Sequence, residues 1–271
     1  MRGGPIYIIT PLALAAEAQS VWRMIIVTVF YLILGGMALL LFRHASIRSA
    51  EAEGRAIERI SAFVTNGTGD VAGLSRGIAR TNFIHSLVFV ADRVDAQVRT
   101  PLRIIVRYYH IERELLDRAA KSRLASNRAY ALALLARLPL SMVTELRIEQ
   151  FLADVSPQVR FYALMCIFGI SPQRAVAHLS RMEHRLSRRE VAELLTVMER
   201  GYCSLPYALL LMSDNYNLQL LGIHLVRRFG ITESKAEIVA IVRNEKSELR
   251  QDALETLVYF GDEGCCKYNI I

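Results

Sequence analysis

Histidine and cysteine are the residue types in this chain best suited to metal binding or nucleophilic catalysis, and their spacing decides whether they can act together. No two histidines stand at i and i+4, and no His-Glu-x-x-His motif occurs. A zinc site built on one helix is therefore unsupported, while a site assembled from several helices stays open. The histidines are His44, His85, His110, His178, His184 and His224.

The cysteines also argue against a catalytic or disulfide role. They are Cys166, Cys203, Cys265 and Cys266, and no two form a Cys-x-x-Cys pair. This spacing fits a reducing compartment. Cys166 lies in an apolar run, which predicts a buried structural thiol rather than a nucleophile. Five residues follow Cys266, and no prenylation signal matches this end of the chain.

Glycine-rich and carboxylate segments offer little further chemistry. Gly67, Gly69 and Gly73 loosely suggest a phosphate-binding loop, but their spacing does not match one and helix precedes them. No Gly-x-Ser-x-Gly elbow occurs. Glu112 and Glu114 belong to a mixed-charge helical surface, where we expect solvated side chains. The sequence therefore predicts a protein that is not an enzyme and that carries no metal and no cofactor.

A basic cluster is the most prominent candidate binding site. Arg99, Arg103 and Arg107 recur every four residues, which predicts one helix face. Residues 74–140 contain 12 Lys/Arg and 5 Asp/Glu, whereas residues 141–271 contain 15 and 16. Like charges stacked in this way repel each other unless a neighbour neutralises them. The candidates are acidic side chains of an adjacent helix, anionic lipid headgroups and an acidic protein.

An apolar segment near the N-terminus predicts a transmembrane helix. Met24 to Phe42 is a run of 19 residues without a charge, flanked by Arg23 and Arg43. A helix of that length spans roughly 28 Å, close to the hydrocarbon thickness of a bilayer. The alternatives are a buried core helix and a cleaved signal peptide ending near Ala50-Glu51-Ala52. An uncleaved anchor is favoured, because the run is long and begins after 23 residues.

The charges that flank this segment predict its orientation. Residues 1–23 contain two arginines and residues 43–59 contain four. The positive-inside bias therefore predicts a single-pass protein whose C-terminal part is cytoplasmic. We expect this membrane to be a bacterial inner membrane. Nucleic acid is an unlikely partner for a chain anchored in this way.

Beyond this segment, one helix start recurs at a nearly constant period. Arg128-Ala-Tyr-Ala-Leu returns in similar form at Arg160, Arg189, Gln219 and Arg250, at intervals of 32, 29, 30 and 31 residues. A period near 30 predicts stacked helical repeats. Each start follows a break and a shorter helix.

The clearest copy runs from Asp154 to Ala163 and reads Asp-x-x-x-x-Val-Arg-x-x-Ala. It resembles the HEAT and HEAT-like repeat family, in which this pattern often opens the second helix of a helix pair. The resemblance covers roughly residues 110–262 and weakens at Glu193, Gln219 and Gly222. It implies an α-solenoid with an extended concave binding surface, and it specifies architecture far better than function.

The repeat positions have predicted structural roles. Pro157 suits the first turn of a helix, and Ser156 before it can cap that helix. The resemblance implies that the arginines Arg128, Arg160 and Arg250 pair with an acidic residue at a neighbouring turn. Asp154 is the candidate partner.

Together these features predict an all-α protein that acts by binding. We expect a tail at 1–23, a transmembrane helix at 24–42, a stalk with a glycine-rich hinge at 43–77, HEAT-like repeats at 78–262 and a tail at 263–271. The expected function is a membrane-anchored scaffold for a protein partner, serving a membrane enzyme or an envelope-assembly system. The alternatives are an enzyme or enzyme accessory of the HEAT-like lyase type, and a membrane-linked sensor.

Overall fold

The structure is a computed structural model that describes residues 11–67, 69–94, 99–201 and 205–261, with side chains from residue 28 onward except 200–201. These residues form 13 α-helices and no β-strand. The predicted all-α class is therefore confirmed for this part of the chain. The described residues divide into two compact units, with the boundary between Arg55 and Ala56.

The first helix, α1, runs from Pro11 to Asn66. The sequence predicts an irregular tail ahead of the apolar segment, yet the chain is already helical from Pro11. Proline is tolerated in a first helical turn, and the leucine, alanine and glutamate residues that follow it are strong helix formers. Residues 1–10 of the expected tail lie outside the described residues.

Within α1, the segment from Thr28 onward is long and apolar enough to cross a membrane. Every side chain from Val29 to Phe42 is exposed within this chain. A continuous apolar helix surface of this kind is stable in lipid, where a helix satisfies its own backbone hydrogen bonds.

The second unit begins with the last turns of α1. Ile60, Phe63 and Val64 of these turns are buried. Gly67 then ends the helix in the left-handed conformation, with φ of 66°. Its N–H donates to the Phe63 carbonyl over 2.9 Å, as is typical of a glycine that closes a helix.

Side-chain hydrogen bonds hold the glycine-rich segment that follows α1. Arg59 donates to the carbonyls of Gly73 and Arg76 over 3.0 and 2.9 Å. The Tyr109 hydroxyl donates to the Val71 carbonyl over 2.6 Å. These bonds fix the segment against the end of α1 and against Tyr109, which lies 38 residues beyond Val71 in the sequence.

Twelve further helices follow within the described residues. The first two are α2 (Arg80–Ala91) and α3 (Arg99–Tyr108). The others are α4 (Ile111–Lys121), α5 (Ala125–Leu135), α6 (Glu145–Glu149), α7 (Pro157–Ile170), α8 (Pro172–Leu179), α9 (Arg188–Gly201), α10 (Tyr207–Leu211), α11 (Tyr216–Phe229), α12 (Lys235–Arg243) and α13 (Arg250–Tyr259).

These helices pack in a repeating order. A shorter helix packs on the next, longer one in α6–α7, α10–α11 and α12–α13, and α4 packs on α5, which has the same length. The helices α5, α7, α9, α11 and α13 also pack on one another in sequence, and we call them the second helices. The exception is α8, which packs on α7 and α11.

Local sequence signals explain where several second helices start and stop. Pro157 occupies the first turn of α7 as predicted. Within the described chain, however, the Ser156 side chain makes no capping hydrogen bond. In α11 the Asn215 side chain accepts from the backbone N–H groups of Asn217 and Leu218, and Gly230 ends the helix with φ of 63°.

One hydrophobic core runs through the second unit, from Ile60 in α1 to Leu257 in α13. Among the described glycines of this unit, Gly222 has the closest neighbours. A Cβ at this position would lie 3.0 Å from the Leu210 Cβ and 3.1 Å from the Leu211 nitrogen. Glycine therefore stands where the other repeats have alanine because α10 and α11 approach each other closely.

Candidate functional site

The predicted structural cysteine is buried. Cys166 has no exposed surface, and its thiol donates to the Leu132 carbonyl over 3.4 Å. Burial raises the pKa of this thiol far above its usual range. The thiol is therefore protonated at neutral pH and serves packing between α5 and α7.

The histidines are dispersed: four lie on different helices, whereas His110 precedes α4 and His184 lies between α8 and α9. His85 is 2.6 Å from the Tyr130 hydroxyl, and His178 is 3.6 Å from a Glu149 oxygen. Among the described residues, no group of three or more His, Cys, Asp or Glu side chains could hold a metal ion.

The predicted basic face lies on α3. Arg103 and Arg107 are exposed, and their side chains form no hydrogen bond or ion pair with any other described residue. Arg99 is half-buried and has contacts of its own. The exposed Ile104 and Tyr108 lie beside these arginines on the same helix. Internal pairing by acidic neighbours therefore does not account for Arg103 and Arg107 in the described structure.

The repeat arginine Arg128 makes the expected ion pair with Asp154. Its Nε and Nη2 atoms each lie 2.8 Å from one carboxylate oxygen, so the pair is bidentate. The hydrogen bond from Arg128 lowers the pKa of the Asp154 carboxyl below its ordinary value. Arg128 also donates to the Ser122 and Arg123 carbonyls, which ties the pair to the preceding loop.

Arg160 uses a different contact from the one expected. Its Nη1 donates to the backbone carbonyls of Asp154 and Val155, over 2.8 and 3.1 Å. Arg128 already holds both oxygens of the Asp154 carboxylate. Both arginines thus bond to carbonyls five and six residues earlier. Arg250 is half-buried at the start of α13.

A second set of contacts links α4 to the segment before α6, and α6 to the start of α8. Glu112 of α4 accepts from the Ser141 hydroxyl over 2.7 Å. Glu145 of α6 accepts from the Ser171 hydroxyl over 3.2 Å. In each case a glutamate binds a serine that lies 29 or 26 residues further along the chain, just before α6 or α8.

The second helices contain a groove that sequence reasoning did not identify. A cavity of about 410 Å³ crosses α9, α11 and α13. It is lined by small, apolar, basic and aromatic side chains, namely Ala192, Leu195, Thr196, His224, Arg227, Arg228 and Tyr259. The doublets Arg188-Arg189 and Arg227-Arg228 were a possible signal for it, since they bring paired charges to neighbouring second helices.

Ion pairs fix the basic side chains of this groove. Arg228 lies 2.5 Å from a Glu199 oxygen, and Arg227 lies 3.3 Å from a Glu255 oxygen. The Arg227 guanidinium also stands 5.8 Å from the centre of the Tyr259 ring. These side chains therefore have defined positions without a ligand.

His224 belongs to the same network. Its Nε2 is 3.3 Å from Asp252 Oδ1, and Arg188 lies 2.8 Å from the same oxygen. Burial lowers the pKa of His224, and the attraction of Asp252 only partly offsets that effect. The imidazole is therefore neutral at pH 7 and can donate to Asp252.

The described residues are all helical. They form a long, apolar N-terminal helix and a series of packed helix pairs. No protein-family model matches the chain, and no curated protein matches it significantly. Two surfaces of the described residues are candidate binding sites, namely the exposed face of α3 and the groove on α9, α11 and α13.

Proposed function

We propose that this protein is a membrane-anchored adaptor. In this proposal α1 crosses the membrane, and an α-solenoid of helix pairs binds a protein partner through its second helices. The observation that carries the proposal is the groove across α9, α11 and α13. Three of its basic side chains, His224, Arg227 and Arg228, are already held by carboxylates. Binding a partner therefore costs little further side-chain conformational entropy.

Repeating contacts support the solenoid part of the proposal. The second helices pack on one another in chain order. Polar bonds such as Arg128–Asp154 and Glu112–Ser141 join one helix pair to the next. In a solenoid each unit contacts its neighbours in this way, and a binding surface extends over several units.

The exposed apolar surface from Val29 to Phe42 supports the membrane part. The four arginines at 43–59 against two at 1–23 favour a cytoplasmic C-terminal part. Attachment to a membrane raises the effective concentration of any partner in that membrane. We therefore propose a membrane enzyme or an envelope-assembly component as the partner.

The experiment compares two exposed helical alanines. Ala192 lines the groove on a second helix, whereas Ala240 belongs to the shorter helix α12. Ala192→Arg places a long charged side chain in the groove. Ala240→Arg is the matched control, since it adds the same side chain to another helix.

Full-length protein is extracted in mild detergent, and co-purifying membrane proteins are quantified by mass spectrometry. A photo-crosslinking residue at Thr196 identifies which of them enters the groove. We expect Ala192→Arg to remove that protein and Ala240→Arg to retain it. Retention in both variants, or loss only with Ala240→Arg, would refute the groove as the binding surface. Recovery of full-length protein without detergent would refute the anchor.

A further inference from the structure

The exposed side of α3 carries two parallel stripes of different character. Successive residues of an α-helix are 100° apart, so residues four apart lie along one line. Two stripes therefore run side by side. The basic stripe consists of Arg99, Arg103 and Arg107. The neutral, largely apolar stripe consists of Thr100, Ile104 and Tyr108.

The opposite side of α3 fixes this orientation. Leu102, Ile105 and Val106 are each at most 1% exposed. The two stripes cannot turn toward the core without withdrawing these three side chains from it. Ile104 and Tyr108 remain 49% and 53% exposed, so an isoleucine and a tyrosine lie beside the arginines on the exposed side of α3.

The carboxylates of the neighbouring helix α4 are already engaged. Glu112 binds Ser141 and Thr144. Glu114 pairs with Arg80 and Arg118.

Asp117 of the same helix pairs with Arg147 over 2.6 Å. All three carboxylates of α4 thus have partners, whereas Arg103 and Arg107 have none among the described residues. The charge that would neutralise these two arginines must therefore come from outside the described chain.

We propose that the exposed side of α3 binds the headgroup region of an anionic lipid bilayer. Arginine matches phosphate oxygens with a planar, two-pronged set of donors. An isoleucine and a tyrosine beside the arginines match the acyl boundary and the headgroup level of an interface. An acidic protein would satisfy the arginines alone, whereas a lipid surface accounts for both stripes.

This inference rests on the membrane anchoring proposed above, and its test separates the two. Full-length protein is reconstituted into nanodiscs of phosphatidylcholine alone or with added phosphatidylglycerol. Amide hydrogen exchange is then followed in peptides that cover 99–108. We expect exchange in this segment to slow when anionic lipid is present. Near an anionic surface each arginine favours the bound state by about fivefold.

A charge reversal and a matched control test the role of the arginines. Arg103→Glu with Arg107→Glu should abolish the effect of anionic lipid. The control reverses Arg123 and Arg181, which are also exposed. It should leave the effect unchanged. Raising the salt concentration should weaken the effect in the native protein, because the Debye length falls from about 10 Å at 0.1 M to about 3 Å at 1 M.

A second pair of variants tests the apolar stripe. Ile104→Ser with Tyr108→Ser should reduce the protection while leaving its salt dependence. All four substituted positions are exposed, so thermal melts should match those of the native protein.

Equal exchange in both lipid compositions would overturn the lipid proposal, as would an equal effect of the control reversal. If the reversal instead removed an acidic co-purifying protein without altering lipid-dependent exchange, an acidic protein would be the occupant and the lipid proposal would be wrong. Failure to enter nanodiscs of either composition would refute the anchor instead.

Discussion

The ion pair described between the second helices α5 and α7, Arg128–Asp154, lies at the helix starts, whereas the ion pairs that join α9, α11 and α13 also lie along the faces of these helices. Arg128 and Asp154 represent the first arrangement, since both stand at or near the start of a helix. Arg228 and Glu199 represent the second, since they join the side chains of α11 and α9.

This difference separates two tasks that polar side chains can perform. Bonds in loops set the spacing of helix pairs and leave the second-helix faces unoccupied. Bonds on the faces also order side chains that a partner can meet. The groove lies in the region of the second kind, among His224, Arg227 and Arg228. Apolar packing should be similar in both regions, so the differences between them should lie in the polar contacts and in how closely the helices approach each other.

The largest expected effect concerns that shared packing. Leu164 of α7 has no exposed surface, and Leu254 of α13 is 8% exposed. Substitution of either by alanine should cost about 2–5 kcal/mol of unfolding free energy. Leu254→Ala should lie toward the lower end, since its site is less completely enclosed. Chemical denaturation of both variants measures this, and an unchanged midpoint in either would contradict continuous packing.

The next-largest effect on the unfolding free energy compares one glycine in each region, Gly222 in α11 and Gly169 in α7. At Gly222 in α11 an added Cβ would meet Leu210 Cβ at 3.0 Å. Gly222→Ala should therefore destabilise the protein by about 1–3 kcal/mol.

Gly169 in α7 is the matched control for that substitution. An added Cβ there would meet Val197 Cγ1 at an ordinary 3.6 Å. Gly169→Ala should stabilise the protein by about 0.5–1 kcal/mol, because alanine is the better helix former. Destabilisation by both substitutions to the same extent would show that close approach is not particular to α10 and α11.

Much of the helical organisation could be predicted from the sequence, because it depends on periodic signals. The helix starts near Arg128, Arg160, Arg189, Gln219 and Arg250 recur about every 30 residues, and each lies within or at the start of a second helix. The apolar run at 24–42 likewise lies within one long helix.

Contacts between distant residues could not be predicted in the same way. Asp154 had two arginine candidates within reach, and only the fold decides that Arg128 binds its carboxylate and Arg160 its carbonyl. Gly222 looked like a degenerate repeat position, whereas the approach of α10 explains it. The groove was missed because its lining residues come from three helices and share no local pattern.

A smaller effect is expected from the ion pairs that represent the two arrangements. The Arg128 and Asp154 side chains are 18% and 12% exposed, whereas those of Arg228 and Glu199 are 58% and 32% exposed. Double-mutant cycles with alanine should give a larger coupling energy for the first pair, since solvent screens it less. The second should fall within about 0–1 kcal/mol, as is usual for surface pairs. Equal coupling energies would contradict this assignment.

The smallest effect should appear as two separate pH windows in the unfolding free energy. Burial lowers the pKa of His224 in the folded protein, so the unfolded chain takes up a proton first as the pH falls. Stability that depends on neutral His224 is therefore present above the ordinary histidine pKa of about 6.5 and decreases below it. Arg188 and Arg227 oppose protonation, and Asp252 favours it without reversing the direction.

Asp154 should act in a more acidic window, because its bond to Arg128 lowers its pKa. Its contribution is fully present above the ordinary aspartate pKa of about 3.9 and is lost as the pH falls through the lowered value. Denaturant titrations from pH 8 to pH 3 would compare the native protein with His224→Gln and Asp154→Asn. The first variant should flatten the slope just below pH 6.5 and leave the acidic slope unchanged, whereas the second should do the reverse. If His224→Gln does not alter the slope of the unfolding free energy near pH 6, other groups must titrate in that window. The inference that neutral His224 donates to Asp252 would then be wrong.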